Sequence, residues 1–307
     1  MGGVYGTECE RGKVSVIIPT YHRSQYIKRA VNSVINQTYK NLEIIIVNDN
    51  PPDSNDSQYI NFEILDLDKR IKIVNTQGGI GGGAARNIGV KNASGEFLAF
   101  LDDDDIYLPE KIEKQLEFMF KTGYEMSIQD VEWYNEKEKL VEYRSFSFIN
   151  SDRQMDMLKQ HILHHLAPTA IYMIKTEAFY RTEGFGETDM GQDWRLMLSC
   201  ILSDVKIGYM KGAYVRQYLH SGERISLGRN KIVGENSLYE IKKRYLYLLN
   251  KKERRYVHFR HYAVLAFSCV RSRSLLRGGW YAFLTVMISP RDSIVEAFKY
   301  FRGKRVK

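Results

Sequence analysis

An apolar run, Phe97-Leu98-Ala99-Phe100-Leu101, stops at four consecutive carboxylates, Asp102-Asp103-Asp104-Asp105. A short apolar stretch bounded by polar residues reads as a strand buried on both faces. Its polar end then lies at the carboxyl edge of a sheet, where open α/β sheets place their ligands. Four adjacent like charges repel one another, so they belong on a solvated loop or around a cation. Hard divalent ions take oxygen ligands, commonly one or two carboxylates plus substrate phosphates. Two readings follow. One is a metal site that holds a phosphorylated substrate. The other is an acidic turn in which Asp105 caps the helix that the pattern after Leu108-Pro109 predicts.

The rest of the amino-terminal half repeats the arrangement. Val14 to Pro19 reads as a first buried strand, and Ser24 as the cap of a helix carrying Tyr26, Ile27, Ala30, Val31, Val34 and Ile35 at helical spacing. Leu42–Val47 is a second strand running into Asn48-Asp49-Asn50, and Ile71–Val74 is a third. Gly81 to Lys91 reads as a Gly-rich loop entering a helix. Strand and helix alternate at βαβ spacing, which predicts a mostly parallel sheet covered on both faces. Three strand ends, at Thr20-Tyr21, Asn48-Asp49 and Asp102–Asp105, then meet along one edge and form a cleft.

These blocks carry a resemblance. Val14–Tyr21, Ile44–Asn50, Gly83-Ala84-Ala85-Arg86-Asn87-Ile88-Gly89 and Phe100–Asp105 resemble, in order and spacing, the successive motifs of family 2 glycosyltransferases; the match covers roughly residues 13–225. The resemblance implies an α/β GT-A fold, Rossmann-like with a mostly parallel central sheet flanked by helices. It also implies a nucleotide-sugar donor, a divalent cation (Mn or Mg) and inversion at the anomeric carbon. Carried over residue by residue, Pro19, Thr20 and Tyr21 line the nucleoside and Asp49 pairs with the base. Arg86 lies near the base and diphosphate, Asp102 and Asp103 fall in the donor site, and Asp104 is the metal ligand. Where many members have Asp-Asp, this chain has Asn48-Asp49. A carboxylate at Asp49 can accept the N–H of uracil or thymine.

The glycine cluster Gly78-Gly79-Ile80-Gly81-Gly82-Gly83 could cradle phosphate at a helix N-terminus. It lacks the Walker spacing and follows the third strand, so the reading favoured is a connection that lets Ala84-Ala85 pack closely. Further on, Ala167–Ile174 reads as a strand followed by a short helix from Thr176. Gly184-Phe185 through Gln192-Asp193 resembles the family block whose acid is the general base. Asp193 takes that position, and Gln192 stands where a Glu is usual. The base role needs one ionised carboxylate within reach of the acceptor hydroxyl. His220 maps to a metal or diphosphate contact and Arg224 to the departing diphosphate. His161, His164 and His165 share a helix face, but no Cys or Glu-x-x-His pattern accompanies them, and they stay outside the metal site.

The chain of 307 residues is long enough for one substantial domain and an appendage. The reading is a GT-A catalytic domain over 1–230, with nucleotide-sugar binding in 13–108 and the acceptor part in 109–230, then a helical C-terminal extension over 231–307. Its Lys+Arg 45 against Asp+Glu 37 give +8, with bases gathered at the carboxyl end. Three scattered cysteines imply a reducing compartment without a disulfide framework. Met1–Lys13 is too polar for a signal peptide. Helices are expected over Lys231–Lys252 and Arg254–Val270; Ser274–Ser289 is aromatic and apolar, and Pro290–Lys307 ends basic. None reaches the ~18–20 apolar residues of a spanning helix. The tail reads either as interfacial, on an anionic membrane surface, or as a helical cap; no nucleic-acid motif accompanies its bases, so nucleic acid is not an expected partner. The expectation is a cytoplasmic enzyme, peripheral on the inner face of the plasma membrane. It would move a sugar from a UDP- or dTDP-sugar to a polysaccharide or polyprenyl-linked acceptor. A nucleotidyltransferase and a catalytically silent nucleotide-sugar-binding subunit are the alternatives.

Overall fold

The apolar runs of the first hundred residues become strands of one sheet, in which the third, Ile71–Asn75, forms the edge and the others are paired on both sides. β1 (Glu10–Thr20), α1 (Ser24–Ile35), β2 (Leu42–Asn48), α2 (Asn55–Tyr59), β3 (Ile71–Asn75), α3 (Gly82–Lys91) and β4 (Gly95–Phe100) alternate along the chain. β1 pairs in parallel with β2 and β4, placing Val16 beside Ile44 on one side and Ala99 on the other; β2 pairs in parallel with β3. α1 buries Ile27, Ala30, Val31 and Val34, the i, i+3, i+4, i+7 face its spacing predicts. Ser24 is not its cap: the cap position is Arg23, without a side-chain bond, and the Ser24 hydroxyl goes to Asp56.

The computed structural model describes residues 9–186, 188, 190–219 and 228–295. They fall into two compact units, one within Met1–Met157, Leu166–Glu187 and Gln192–Ser221, the other within Leu158–His165, Thr188–Gly191 and Gly222–Lys307. The first unit continues through β5 (Ile106–Tyr107), α4 (Lys111–Thr122), β6 (Met126–Asn135), β7 (Leu140–Arg144), the start of α5 (Gln154–His164), β8 (Met173–Lys175), α6 (Thr176–Tyr180), α7 (Gln192–Leu202) and β9 (Ile207–Leu219). Its sheet runs β3-β2-β1-β4-β8-β6-β9-β5, with β7 beside β6. The β3-β2-β1-β4 half is parallel; β8 enters antiparallel to β4 and β6, and β6 and β9 are parallel to each other. Ala167–Ile174 is not one strand. A single helical turn at Thr169–Ile171 precedes a three-residue β8. Cys9, Cys200 and Cys269 are all free thiols.

In the second unit the region expected as one helix over Lys231–Lys252 breaks. α8 (Gly228–Lys243) ends before Tyr245, and α9 (Lys251–Arg271) starts afresh at a capping box. There the Asn250 carboxamide oxygen accepts from the Lys252 and Glu253 amides, and the Glu253 carboxylate accepts the Asn250 N–H. α10 (Leu275–Ile288) packs on α9. Tyr239 of α8 lies flat on the His261 ring of α9, 3.7 Å between centroids and 5° between planes. No described helix is long and apolar enough to cross a membrane.

Candidate active site

Parallel pairing carries three strand ends to one edge. Thr20 of β1 is in register with Asn48 of β2, and Asn48 with Asn75 of β3. Asn48 is fully buried, and its side-chain nitrogen donates to the Ser57 hydroxyl at 2.8 Å and to Asn75 Oδ1 at 2.7 Å. Its oxygen accepts from the Asn50 side chain at 2.8 Å, and Asn50 Oδ1 in turn accepts the His22 amide at 2.6 Å. This explains the amide at the position where the family resemblance leads one to expect an acid. A carboxylate there could not donate to two acceptors, and a buried acceptor facing an acceptor costs the desolvation of both.

Asp49, the next residue, holds the glycine loop. Its Oδ1 accepts the Thr76 hydroxyl at 2.6 Å and the Ile80 amide at 3.1 Å; its Oδ2 accepts the Gly81 amide at 3.1 Å. The loop therefore points its amides at a carboxylate of the protein. An ionised carboxylate has about four acceptor positions, and the fourth, on Oδ2, is left for an outside donor. Gly78 is required here. Its φ is +94°, and a Cβ would stand 2.9 Å from the Pro51 nitrogen. Pro19 is partly exposed beside β2, the Thr20 carbonyl accepts the Asp49 amide at 2.9 Å, and the Tyr21 ring is 45% exposed at the strand end.

The four aspartates divide into different roles. Asp105 caps no helix; α4 begins at Lys111. Its buried carboxyl accepts Gln217 Nε2 at 2.7 Å and the Tyr218 amide at 3.0 Å, which ties the end of β4 to β9. Burial, with Asp104 and Asp102 nearby, drives its pKa well above the ordinary carboxyl value. Asp104 accepts Arg23 Nη1 at 2.5 Å, and Asp103 is 3.4 Å from the same nitrogen. Burial, reinforced by Asp104, pushes the Asp103 carboxyl up to about 7. Asp102 is bound by Arg86 Nη2.

Arg86 reaches this position from α3 and joins two parts of the site. Its Nη1 donates to Gln192 Oε1 at 3.2 Å, and its guanidinium lies 5.4 Å from the Phe185 ring centre. Asn87, next on α3, clamps the same segment. Its Nδ2 donates to the Phe185 carbonyl at 2.8 Å and its Oδ1 accepts the Phe185 amide at 3.0 Å. Gln192 opens α7 and Asp193 follows it. Burial raises the Asp193 carboxyl above its ordinary value; the Trp194 amide, 2.7 Å from Oδ1, and the Arg86 charge pull it back, while Asp102 pushes it up. Asp193 thus shares one field with Arg86 and Asp102, although 91 residues separate it from Asp102 in sequence (193 − 102).

The structure brings Asp102, Asp103, Asp104, Arg86 and Asp193 into one charged network, and places Asp49, Thr20 and Tyr21 at the ends of the neighbouring strands. His220 and Arg224 lie outside the described residues, as do Glu187 and Asp189. Arg23 is a site residue that motif reasoning passes over, as is Arg29, whose Nη2 donates to the Asp104 carbonyl at 2.7 Å. The signal for both was charge balance: four adjoining acids call for nearby cations, and the turn after β1 and the helix α1 that follows it supply them. Among the described residues no three His, Cys, Asp or Glu side chains gather closely enough to hold an ion alone.

The model of glycosyl transferase family 2 matches residues 15–185, more than half of the chain. The chain belongs to that family. A glycosyltransferase of Rickettsia felis is 43% identical over 130 residues, 42% of this chain and 21% of that one. The Escherichia coli UDP-Glc:alpha-D-GlcNAc-diphosphoundecaprenol beta-1,3-glucosyltransferase WfgD is 40% identical over 111 residues, 36% of this chain and 42% of that one. The chain thus spans about a fifth to two fifths of these relatives' lengths. Among solved structures, S. aureus TarS with UDP-GlcNAc superposes with a TM-score of 0.58 at 19% identity, over 90% of this chain and 71% of that one. The mannosyltransferase PcManGT of Pyrobaculum calidifontis, with GDP-Man and Mn²⁺, gives 0.57 at 16% identity, over 93% and 86%. The fold is the GT-A fold of glycosyltransferases.

Proposed function

We propose that the protein is a divalent-cation-dependent, inverting glycosyltransferase. It moves a sugar from a UDP- or dTDP-sugar to a hydroxyl of a cell-surface polysaccharide or lipid-linked glycan precursor. The observation that carries the reading is the Arg86 bridge, which links Asp102 at the sheet edge to Gln192 beside Asp193. Support comes from the nucleotide sugars bound by TarS and PcManGT, and from WfgD, whose acceptor is a diphosphoundecaprenol-linked sugar.

The residues divide the work as follows. Tyr21 offers a ring face to the base, with Pro19 and Thr20 beside it. The remaining lone pair of Asp49 Oδ2 accepts the base N–H. Asp102 and Asp103 complete the donor side. Asp193 takes the proton of the acceptor hydroxyl, and its raised pKa brings it nearer the working pH of a general base. The freed oxygen forms the new bond to the anomeric carbon from the face opposite the diphosphate, which leaves with the electrons of the old bond. Arg86, assisted by Arg224, stabilises the charge left on the diphosphate. The donor set would suit Mg²⁺ or Mn²⁺, which take hard carboxylate oxygens together with substrate diphosphate oxygens. Asp104, with His220, would hold the ion, which supplies Lewis-acid stabilisation of the leaving diphosphate. The acceptor would be met from the cytoplasmic side, at the inner face of the plasma membrane.

Asp193→Asn tests the assignment. It keeps the shape and removes the base, so sugar transfer falls by about 10²–10⁴ while donor binding, read by calorimetry, stays within a few-fold of the parent. Transfer at the parental rate would place the base elsewhere.

A further inference from the structure

α10 is built inside out. The residues it buries are Gly278, Thr285 and Ser289, the last just past its end. The residues it turns outward are large and apolar: Leu276 is 93% exposed, Trp280 59%, Phe283 53% and Met287 66%. Their spacing of four, three and four makes one continuous stripe along the helix, with Leu275 and Val286 beside it. The buried side fits closely. A Cβ on Gly278 would come within 2.9 Å of Val270 Cγ2 and 3.5 Å of the Ala266 carbonyl oxygen on α9.

A helix of a water-soluble fold does the reverse, turning its large apolar residues inward and its small and hydroxyl residues out. Small and hydroxyl residues between helices, with large apolar ones outward, is the order adopted against lipid. Fourteen residues rise only about 21 Å, short of the roughly 30 Å hydrocarbon core. The stripe therefore suits a helix lying in the plane of the interface. Trp280 and Phe283 stack at 5.7 Å within it, a pair suited to the headgroup boundary.

Charge selects the lipid. From Arg271 to Arg291 the chain has Arg271, Arg273, Arg277 and Arg291 and no Asp or Glu. All four are exposed, and none pairs with a carboxylate among the described residues. Three cluster at the start of α10 and one follows its end, so cations flank the apolar stripe at both ends.

We propose that α10 is a membrane-seating helix. Its Leu276–Trp280–Phe283–Met287 stripe enters the acyl boundary of a bilayer rich in anionic phospholipid, and the flanking arginines contact the lipid phosphates. The proposal deepens the glycosyltransferase reading and rests on it for its purpose, which is to keep the enzyme on the surface where a lipid-linked acceptor is found.

Vesicle sedimentation of the full chain tests it, using phosphatidylcholine with and without phosphatidylglycerol. The parent should bind the anionic vesicles, and less so as salt rises. Trp280→Ser combined with Phe283→Ser should weaken binding at least about tenfold. Arg271→Gln, Arg273→Gln and Arg277→Gln together should weaken it roughly a hundredfold on anionic vesicles. The replaced side chains are exposed, so the melting temperatures of both variants should match the parent. Failure of the parent to bind, or binding by both variants at parental strength, would overturn the proposal. So would a concentration-dependent dimer without vesicle binding that the Trp280/Phe283 variant abolishes, because the stripe would then belong to a second copy. Transfer to a soluble acceptor is followed in the same samples. Its absence alongside vesicle binding would count against the catalytic reading and support this one.

Discussion

Arg23 sits at the turn after β1 with Asp104 2.5 Å and Asp103 3.4 Å from one of its nitrogens. It is the counter-charge to two acids that would otherwise repel each other at close range. Removing one member of a partly buried ionic group leaves the others without compensation. Arg23→Gln should therefore lower stability by about 1–3 kcal/mol, the cost of an unsatisfied buried polar group, in urea melts with EDTA present. Mn²⁺ should restore more stability to the variant than to the parent, because an ion on Asp104 would substitute for the lost charge. Equal responses of the two proteins to Mn²⁺ would show that Arg23 and the ion do not share those carboxylates. The acids and Arg86 were legible in the sequence, since each stands in a recognisable block. Arg23 was not, because its role depends on Asp104, 81 residues away. The use of Asp49 as an anchor for the glycine loop was equally hidden, since it requires β2 and the chain after β3 to be seen side by side.

At the scale of elements, α3 shows how tightly a helix must approach the sheet for Arg86 to reach Asp102. Gly89 faces β1 and β2, where a Cβ would come within 2.4 Å of Ile17 Cγ2 and 3.1 Å of Val47 Cγ2. Both neighbours are β-branched and fully buried, so neither can turn away. Gly89→Ala should cost about 1–3 kcal/mol of overpacking. By moving α3 outward it should also lower transfer activity at temperatures where the variant is still folded. A thermal melt and a rate measured on one preparation check both effects. The reading of the glycine cluster as a connection that allows close packing is consistent with this geometry, although the tightest contact falls at Gly89, beyond the cluster. β1, β2 and β4 were legible because their apolar runs are fully buried, and β3, though half-buried at the edge, because it pairs within the same series of βαβ units. β8 was over-read. Ala167–Ile174 is apolar enough for a strand throughout, yet only Met173–Lys175 meets β4, a pairing that no local pattern encodes. β7 gave no signal, since Leu140, Val141 and Tyr143 are exposed and its partner β6 is half solvated there.

At the scale of the whole molecule, the second unit carries a titration of its own. Lys242 is buried, and its ammonium donates to His165 Nε2. Burial lowers the lysine to about 8 from the ordinary 10.5, and burial together with Lys242 holds His165 well below its usual value, which keeps it the acceptor. Between pH 8 and 10.5 the unfolded chain binds a proton that the folded chain has released. Stability should therefore rise with pH through that window. Lys242→Met should flatten the rise, which melting curves of parent and variant across the window will show; parallel curves would mean that the lysine titrates normally.

The sheet order carries one more consequence, and it concerns synthesis. β4 pairs with β1 on one side and with β8 on the other, and β8 begins 73 positions after β4 ends. On a ribosome adding about 5–20 residues per second, that stretch takes roughly 4–15 s. Throughout that interval the nascent chain can already close β3-β2-β1-β4, but the outer amides and carbonyls of Phe97, Leu98 and Ala99 have no neighbour. A strand whose apolar run is fully buried in the finished fold is thus also, for several seconds of each round of translation, an open edge of the first unit. That is the stage at which a chaperone, or another nascent copy, has most to bind.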